Sequence, residues 1–406
     1  MDAATSPVQP AAGQGSLATP VFFALGTFAI GTEGYMIAPL LPKMAADFGM
    51  SVPAVASLIV AFTLTLALSS PVTTVAVARF NRRDVLLAAM GLFTAANIVA
   101  ALSQGFASLM VARLMMAVAA GLYTPNANAL AGAIVRPALR GRALAVISGG
   151  MTVSVALGLP LGALVGHAFG WGATFVAVAL LGVVAVAGIA VGVKREAGAP
   201  LPVATIAARL AILRQGAVRR LLGVTVLWAI GAYAVYPYIA PYLIQVLGYG
   251  ERGISATVTL WGVAAALGVL ASGTLSDRFG PGRITRVALM FSALAFWGLA
   301  IAALRLPLVP QAPLVLVMVA VWGTAVWCFW PAQMARLIAA GTPQQAPLAL
   351  SLNISTMYLG FSLGSAAGAG ILGTGAVWGI GAFAGCAALA ALLLEPRLST
   401  HQKEIS

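Results

Sequence analysis

The sequence predicts an all-α membrane protein, with twelve transmembrane helices in two pseudo-symmetric six-helix bundles and both termini cytoplasmic. Three observations predict this. Apolar residues make up 61% of the 406 positions and charged residues 8%, against about 45–50% and about 25% in an ordinary soluble domain. The apolar residues fall into stretches of about 20, the length a helix needs to cross a bilayer. Short motifs also recur at a nearly constant offset along the chain.

Windows of that length give spans near 19–41, 54–77, 84–103, 106–135, 143–166, 170–193, 221–247, 254–276, 285–304, 313–340, 346–372 and 374–394. Residues 1–18 form a polar cytoplasmic N-terminal tail without Lys or Arg. They lack the basic start of a cleavable leader, so the first span is expected to be retained. The spans group into an N-terminal bundle, 19–193, and a C-terminal bundle, 221–394. Between them lies a cytoplasmic central loop, 194–220, and after them a cytoplasmic tail, 395–406. The loop contains "VATIAARLAILRQGAVRR", which suits either a helix lying on the membrane face or a solvated linker.

Orientation follows from the basic residues. One set of connections carries Arg79, Arg82 and Arg83; Arg136, Arg140 and Arg142; Lys194, Arg195, Arg209, Arg214, Arg219 and Arg220; Arg278, Arg283 and Arg286; Arg336; and Arg397 and Lys403. The alternate connections carry only Lys43, Arg252 and Arg305. Lys and Arg accumulate in cytoplasmic loops, which puts both termini inside. The net charge of +13 is then a topology signal and a contact with anionic lipid. Basic residues scattered over separate loops do not make a nucleic-acid surface. The two cysteines, Cys328 and Cys386, fall inside apolar runs, so no disulfide or metal cluster is expected.

The halves repeat. "IAPLL" at Ile37–Leu41 returns as "IAPYL" at Ile239–Leu243, and Gly158, Gly162 and Gly166 return as Gly360, Gly364 and Gly368, both offset by 202. Arg79–Phe80 returns as Arg278–Phe279, offset by 199. Internal duplication around a long central loop is a pattern of secondary transporters, which bind substrate between the repeats near the midplane.

Several stretches carry a resemblance: "GTEGYMIAPLLPKMAADFGMS", "ARLMMAVAAG", "GLPLGALVG", "GTLSDRFGPGR" and "LNISTMYLGFSLGSAAG". Over almost its whole length the chain resembles the major facilitator superfamily. Within it the chain is similar to the twelve-span drug:proton antiporters, especially arabinose/sugar-efflux and chloramphenicol-resistance-like bacterial exporters. The resemblance implies a gating role for Gly273, Asp277 and Arg278 at the cytoplasmic edge. Physically, the glycine lets helices approach, and the acid caps a helix or pairs with a neighbouring arginine. The first half departs from this pattern: Thr74 and Ala78 stand at the glycine and acid positions, with Asp84 as a possible substitute. Gly158, Gly162 and Gly166 put small residues on one helix face every four residues, with Pro160 inside the run, for close helix contact. They resemble the exporters' antiporter motif, where the fifth span meets the other half.

Among Asp2, Glu33, Asp47, Asp84, Glu196, Glu251, Asp277, Glu395 and Glu404, only Glu33 falls well inside a span. A charge at the bilayer centre costs roughly 2.5–3.5 kcal/mol on insertion scales, so Glu33 must face a cavity, be protonated or have a partner. Arg113 is the one basic residue deep in a span. Each lies about eight residues, roughly 12 Å, from the same membrane face. Burial favours the neutral acid and a nearby guanidinium favours the carboxylate, so a change in their separation moves a proton. The alternative is a static ion pair. At offset 202 the second half has Val235 and Val315, so a half folds without either charge.

The resemblance places spans one, four, seven and ten around a cavity, to which Asn353 of span eleven could add a hydrogen bond. Its candidate walls are Tyr35, Tyr123, Asn126, Tyr233, Tyr236, Trp327, Trp330, Gln333 and Asn353, although lipid-facing placement is open for any single aromatic. His167 reads as a boundary residue. The expected function is proton-coupled export of small molecules such as drugs, sugars or related metabolites, by a functional monomer in the bacterial inner membrane. It needs no cofactor and no metal and is driven by the proton gradient. A proton-coupled importer or facilitator of sugars or nucleosides shares the fold. An enzyme would need clustered His, Cys or carboxylates, and a sensor a sizeable soluble domain; the sequence offers neither.

Overall fold

The computed structural model describes residues 18–198, 205, 207, 211–306, 310–342 and 345–395. Most of the tails and much of the central loop lie outside the described residues; of the stretch proposed as a surface helix, the described C-terminal part is a 3-10 turn, Ile212–Arg214, followed by the helix that starts at Gly216. Twelve long helices run through the described chain. They are α1 (Thr19–Phe48), α2 (Val52–Ala76), α3 (Arg82–Ala101), α4 (Phe106–Ile134), α5 (Arg140–Phe169), α6 (Trp171–Gly192), α7 (Gly216–Leu247), α8 (Glu251–Phe279), α9 (Pro281–Ala303), α10 (Gln311–Ala339), α11 (Ala346–Gly373) and α12 (Val377–Leu394). Eleven are long and apolar enough to cross a membrane. At 28 residues α11 is long enough too, and it packs between α2 and α7.

Several helices overrun the expected spans, because polar first and last turns stay helical outside the oil. Prolines shape the exceptions. Pro39 and Pro42 withhold backbone donors, and α1 tightens into a 3-10 turn over Ala38–Leu40 before continuing to Phe48. In α7, Pro237 sits inside the corresponding 3-10 turn, Tyr236–Tyr238, and Pro241 just after it. Gly49 and Gly248 then end α1 and α7 in the left-handed conformation, at φ 62° and 66°, where a side chain would be strained. Just ahead of Pro160, α5 widens into a π-turn over Ser154–Gly158, the local adjustment a proline provokes inside a helix.

Packing repeats with a step of six helices. In the first half α1 packs on α5 and α6, α4 on α2 and α3, and α3 on α6; in the second α7 packs on α11 and α12, α10 on α8 and α9, and α9 on α12. The halves meet through α2 with α11 and α5 with α8, pairs that the same six-step exchange turns into each other. The duplication read from glycines and prolines thus extends to every major helix contact.

The repeated glycines have a different partner from the one expected. An added Cβ at Gly158 would strike the Thr32 hydroxyl, at Gly162 it would lie 2.8 Å from Met36 Cβ, and at Gly166 2.6 Å from the Leu40 side chain. All three neighbours are on α1, in the same half. In the second half Gly360, Gly364 and Gly368 likewise press on the α7 backbone, at Val226, Ile230 and Ala234. Across the halves the close approach is Gly262 of α8, whose Cβ would lie 2.6 Å from the Val155 carbonyl oxygen in the α5 π-turn.

The two ends differ. At the end formed by the α1–α2, α5–α6 and α7–α8 connections, the 3-10 turns of α1 and α7 touch each other. There His167 Nδ1 of α5 lies 3.5 Å from Glu251 Oε1 of α8. Lys43 Nζ caps the end of α5, donating to the Gly166 and His167 carbonyls at 3.4 and 3.3 Å. At the opposite, basic end the described ion pairs stay within one half. Asp84 sits 3.6 Å from Arg83 and 3.1 Å from Arg195, and Arg336 sits 2.6 Å from Glu395. Asp84 is therefore engaged inside the first half.

Candidate functional site

Glu33 and Arg113 form an ion pair, and both side chains are fully buried. The geometry follows from α1 and α4 crossing the first half at matched depth in opposite directions. The Arg113 guanidinium carbon also lies 4.0 Å from the centroid of the Phe62 ring on α2, a cation–π contact. A carboxylate on one side and a ring face on the other hold the cation away from lipid.

Beside this pair lies a narrow gap bounded by Ile30, Gly31, Gly34 and Tyr35 of α1, Phe62 and Thr63 of α2, Met151 of α5, Tyr233 of α7 and Tyr358 of α11. The space thus draws walls from both halves. Tyr35 and Tyr233 also line a second gap, completed by Trp228, Ala232, Tyr236, Trp261, Trp322, Val326, Trp327 and Phe361. Tyr35 is its one lining residue from the first half. Its ring meets Tyr236 at 5.6 Å and 85°, Trp327 at 5.9 Å and 63°, and Trp261 at 6.5 Å and 46°. Tyr236 bonds back across the halves, its hydroxyl donating to the Tyr35 carbonyl at 2.8 Å. The second gap has room for about one water molecule. Phe62, Tyr35 and Tyr233 therefore link the charged pair to the aromatic gap by direct neighbours.

The expected wall residues separate into two groups. Tyr35, Tyr233, Tyr236 and Trp327 come together in the gap. Trp330 lies behind it, stacked on Trp228 at 5.9 Å. Tyr123 is packed inside the first half, its hydroxyl donating to the Phe23 carbonyl at 3.2 Å. Asn126 accepts from Arg82 and donates to the Leu122 carbonyl at 2.6 Å. Gln333 and Asn353 belong to a polar chain in the second half. There Arg336 donates to Gln333 at 3.2 Å, Gln333 to Thr225 at 3.1 Å, and Thr225 to Asn353 at 2.7 Å. Each of these polar groups is satisfied by neighbours in its own half, which draws it off the wall.

The motif at the basic end also departs from its expected mechanics. Gly273 has open space where a Cβ would sit, so no helix approaches it. Among the described residues no ion pair engages Asp277 or Arg278; the Arg278 guanidinium lies over Phe279 at 5.2 Å. Gly158, Pro160 and Gly162 shape α5 against α1, as described above.

The sequence reading missed Phe62, Trp261 and Phe361, because an apolar residue in an apolar helix does not announce which face it occupies. Glu395 was also missed, assigned to the tail although it is 3% exposed. The signal was Arg336, an arginine close to the end of a span and in need of a partner.

A multi-helix membrane protein whose packing repeats with a six-helix step, with a gap shared by the halves and a buried acid–base pair, has the form of a transporter of small molecules. The chain matches the profile of the Major Facilitator Superfamily over residues 23–339 and belongs to that family. It is 31% identical over 348 residues to the uncharacterized MFS-type transporter YbcL of Bacillus subtilis, covering 85% of this chain and 86% of that one. It is 33% identical over 270 residues to a chloramphenicol resistance protein of Streptomyces lividans, covering 65% and 68%. Its fold matches a crystal structure of a D-xylose–proton symporter with a TM-score of 0.77 at 15% identity, covering 93% and 96%. With bacterial relatives and these spans, it is a multi-pass protein of the bacterial inner membrane.

Proposed function

We propose that the protein is a proton-coupled exporter working by alternating access, with Glu33 as the proton carrier and Arg113 as its counter-charge. The observation that carries this reading is the fully buried Glu33–Arg113 pair, whose Phe62 neighbour lines a gap shared by both halves. The basic end faces the cytoplasm by the positive-inside rule. The contacts at the other end then seal the periplasmic side, as in an inward-facing state. The relative named for chloramphenicol resistance supports export of drug-like molecules, with sugars and related metabolites as further candidates.

The energetics fit. Removing one partner of a buried ion pair leaves an uncompensated charge costing about 3–5 kcal/mol. Protonating Glu33 does this to Arg113, so the protonated protein gains by moving the two apart or by bringing in another partner. At about 2.3 kcal/mol per charge per 100 mV, a potential of about 150 mV supplies about 3.4 kcal/mol per proton, the same scale. The Phe62 ring would retain the cation meanwhile, and Tyr35 and Tyr233 would pass the rearrangement to the aromatic gap.

Glu33→Gln should abolish proton-driven accumulation of substrate in inverted vesicles while the variant still inserts at normal levels. Unchanged accumulation would overturn the coupling role. In proteoliposomes, the direction of the pH change on adding substrate separates an antiporter from an importer.

A further inference from the structure

We infer that His167 and Glu251 form a proton-operated latch on the periplasmic end: the charged imidazole holds the halves together there, and the neutral imidazole releases them. The inference goes beyond the coupling role given to Glu33. It needs only that this end opens and closes.

Four ion pairs stay within a half: Glu33–Arg113, Asp84–Arg83 and Asp84–Arg195 in the first, and Arg336–Glu395 in the second. His167–Glu251, at 3.5 Å, crosses from α5 to α8. Two hydrogen bonds that also cross are neutral, Tyr236 donating to the Tyr35 carbonyl at 2.8 Å and Ser362 to the Val60 carbonyl at 3.1 Å. Histidine changes charge between pH 5 and 8, a range in which those neutral bonds stay as they are. Acidity therefore reaches this closure through His167.

The surroundings leave the charged ring dependent on Glu251. The His167 side chain is 11% exposed, and neither ring nitrogen has a hydrogen-bond partner among the described residues. A buried charge needs a counter-charge far more than a buried neutral ring needs a partner. On α1, Lys43 donates to the Gly166 and His167 carbonyls, a fixed cation that opposes a second one. Asp47, also on α1, is taken by the Trp171 indole at 2.8 Å. The α6 helix carries no charged side chain, and α4 only Arg113, which Glu33 engages. On α8, Arg252 follows Glu251 and is exposed. Arg305, at the end of α9, donates to the Gln245 carbonyl.

With an imidazolium on α5, the carboxylate of the other half favours the closed end. Losing the proton removes that attraction, and Glu251, 61% exposed, keeps its water. Acid thus closes this end, and rising pH through the histidine range releases it. A pair this exposed biases the equilibrium without locking it. In a proton-driven cycle it would close the end through which the proton has entered.

Spin labels on Gln104→Cys, in the α3–α4 connection, and Leu304→Cys, after α9, report the separation of the halves at this end; both sites are exposed. Double electron–electron resonance is recorded on full-length protein with Cys328 and Cys386 replaced, at pH 5.5 and 8.5. The ratio of long to short distances should rise about threefold with pH. His167→Gln and Glu251→Gln, each close in size to the residue replaced, should hold that ratio within 1.5-fold, and Glu33→Gln should leave the rise in place. No rise in the parent protein would overturn the latch, as would a rise that persists in both latch variants. A rise abolished by Glu33→Gln alone would overturn it too and assign the response to Glu33, leaving the export reading intact.

Discussion

Arg113 touches an acid and a ring, and these neighbours differ in what they make testable. Both charges of the ion pair are buried from solvent, so each is held mainly by the other. Glu33→Gln should lower thermal stability in detergent, because about 3–5 kcal/mol of compensation disappears. Adding Arg113→Gln should restore most of the loss, since the stranded cation goes with it. Residues in such a pair are expected to be strongly non-additive. Additive losses in thermal unfolding of the single and double variants would show that the charges act separately. This pair was legible in the sequence because a charge stands out in an oily helix and because depth along a helix is simple arithmetic. Phe62 was not, since nothing in "AFTLTLALSS" distinguishes a phenylalanine facing Arg113 from one facing lipid. Asn126 and Gln333 misled for the opposite reason. A polar residue in a span must find a partner, and the sequence does not show whether that partner is a substrate or a neighbouring helix.

At the scale of the helix, small residues mark close approach, but their spacing leaves the partner open. Gly158, Gly162 and Gly166 sit against α1, and the crossing between halves relies on Gly262 over the Val155 carbonyl. A backbone oxygen cannot rotate away, unlike the end of a flexible side chain. Gly262→Ala should therefore push α8 off α5, with an overpacking penalty of about 1–3 kcal/mol and a marked fall in transport. Gly273→Ala has open space around it and should leave unfolding unchanged or slightly raised, since alanine is favoured over glycine in a helix by up to about 1 kcal/mol. Thermal unfolding of the two variants checks both. A destabilised Gly273→Ala would restore the close helix contact that the loop motif suggested. The motif was recognisable by its residues, yet whether its acid is latched depends on the conformation, which no local sequence encodes.

The whole molecule is two copies of one packing scheme joined by α2 with α11 and α5 with α8. That duplication showed in the sequence through paired glycines and prolines at one offset, because backbone geometry demands them at matching places in both copies. The asymmetry between the two ends did not show, because it comes from contacts between residues far apart in the chain. His167 illustrates this: it read as a boundary residue, yet it lies 3.5 Å from Glu251 across the halves. If alternating access works by the two halves rocking against each other, this pair must separate in every cycle. In a background with Cys328 and Cys386 replaced, His167→Cys with Glu251→Cys and a short reducible bifunctional thiol reagent should lower transport at least tenfold, and reduction should restore it. The same treatment of Asp84→Cys with Arg195→Cys joins residues of one half and should cost less than twofold. Transport that persists with the 167–251 link fully formed would mean that this end stays closed throughout, and the two-bundle rocking scheme would have to be replaced by motion within a half.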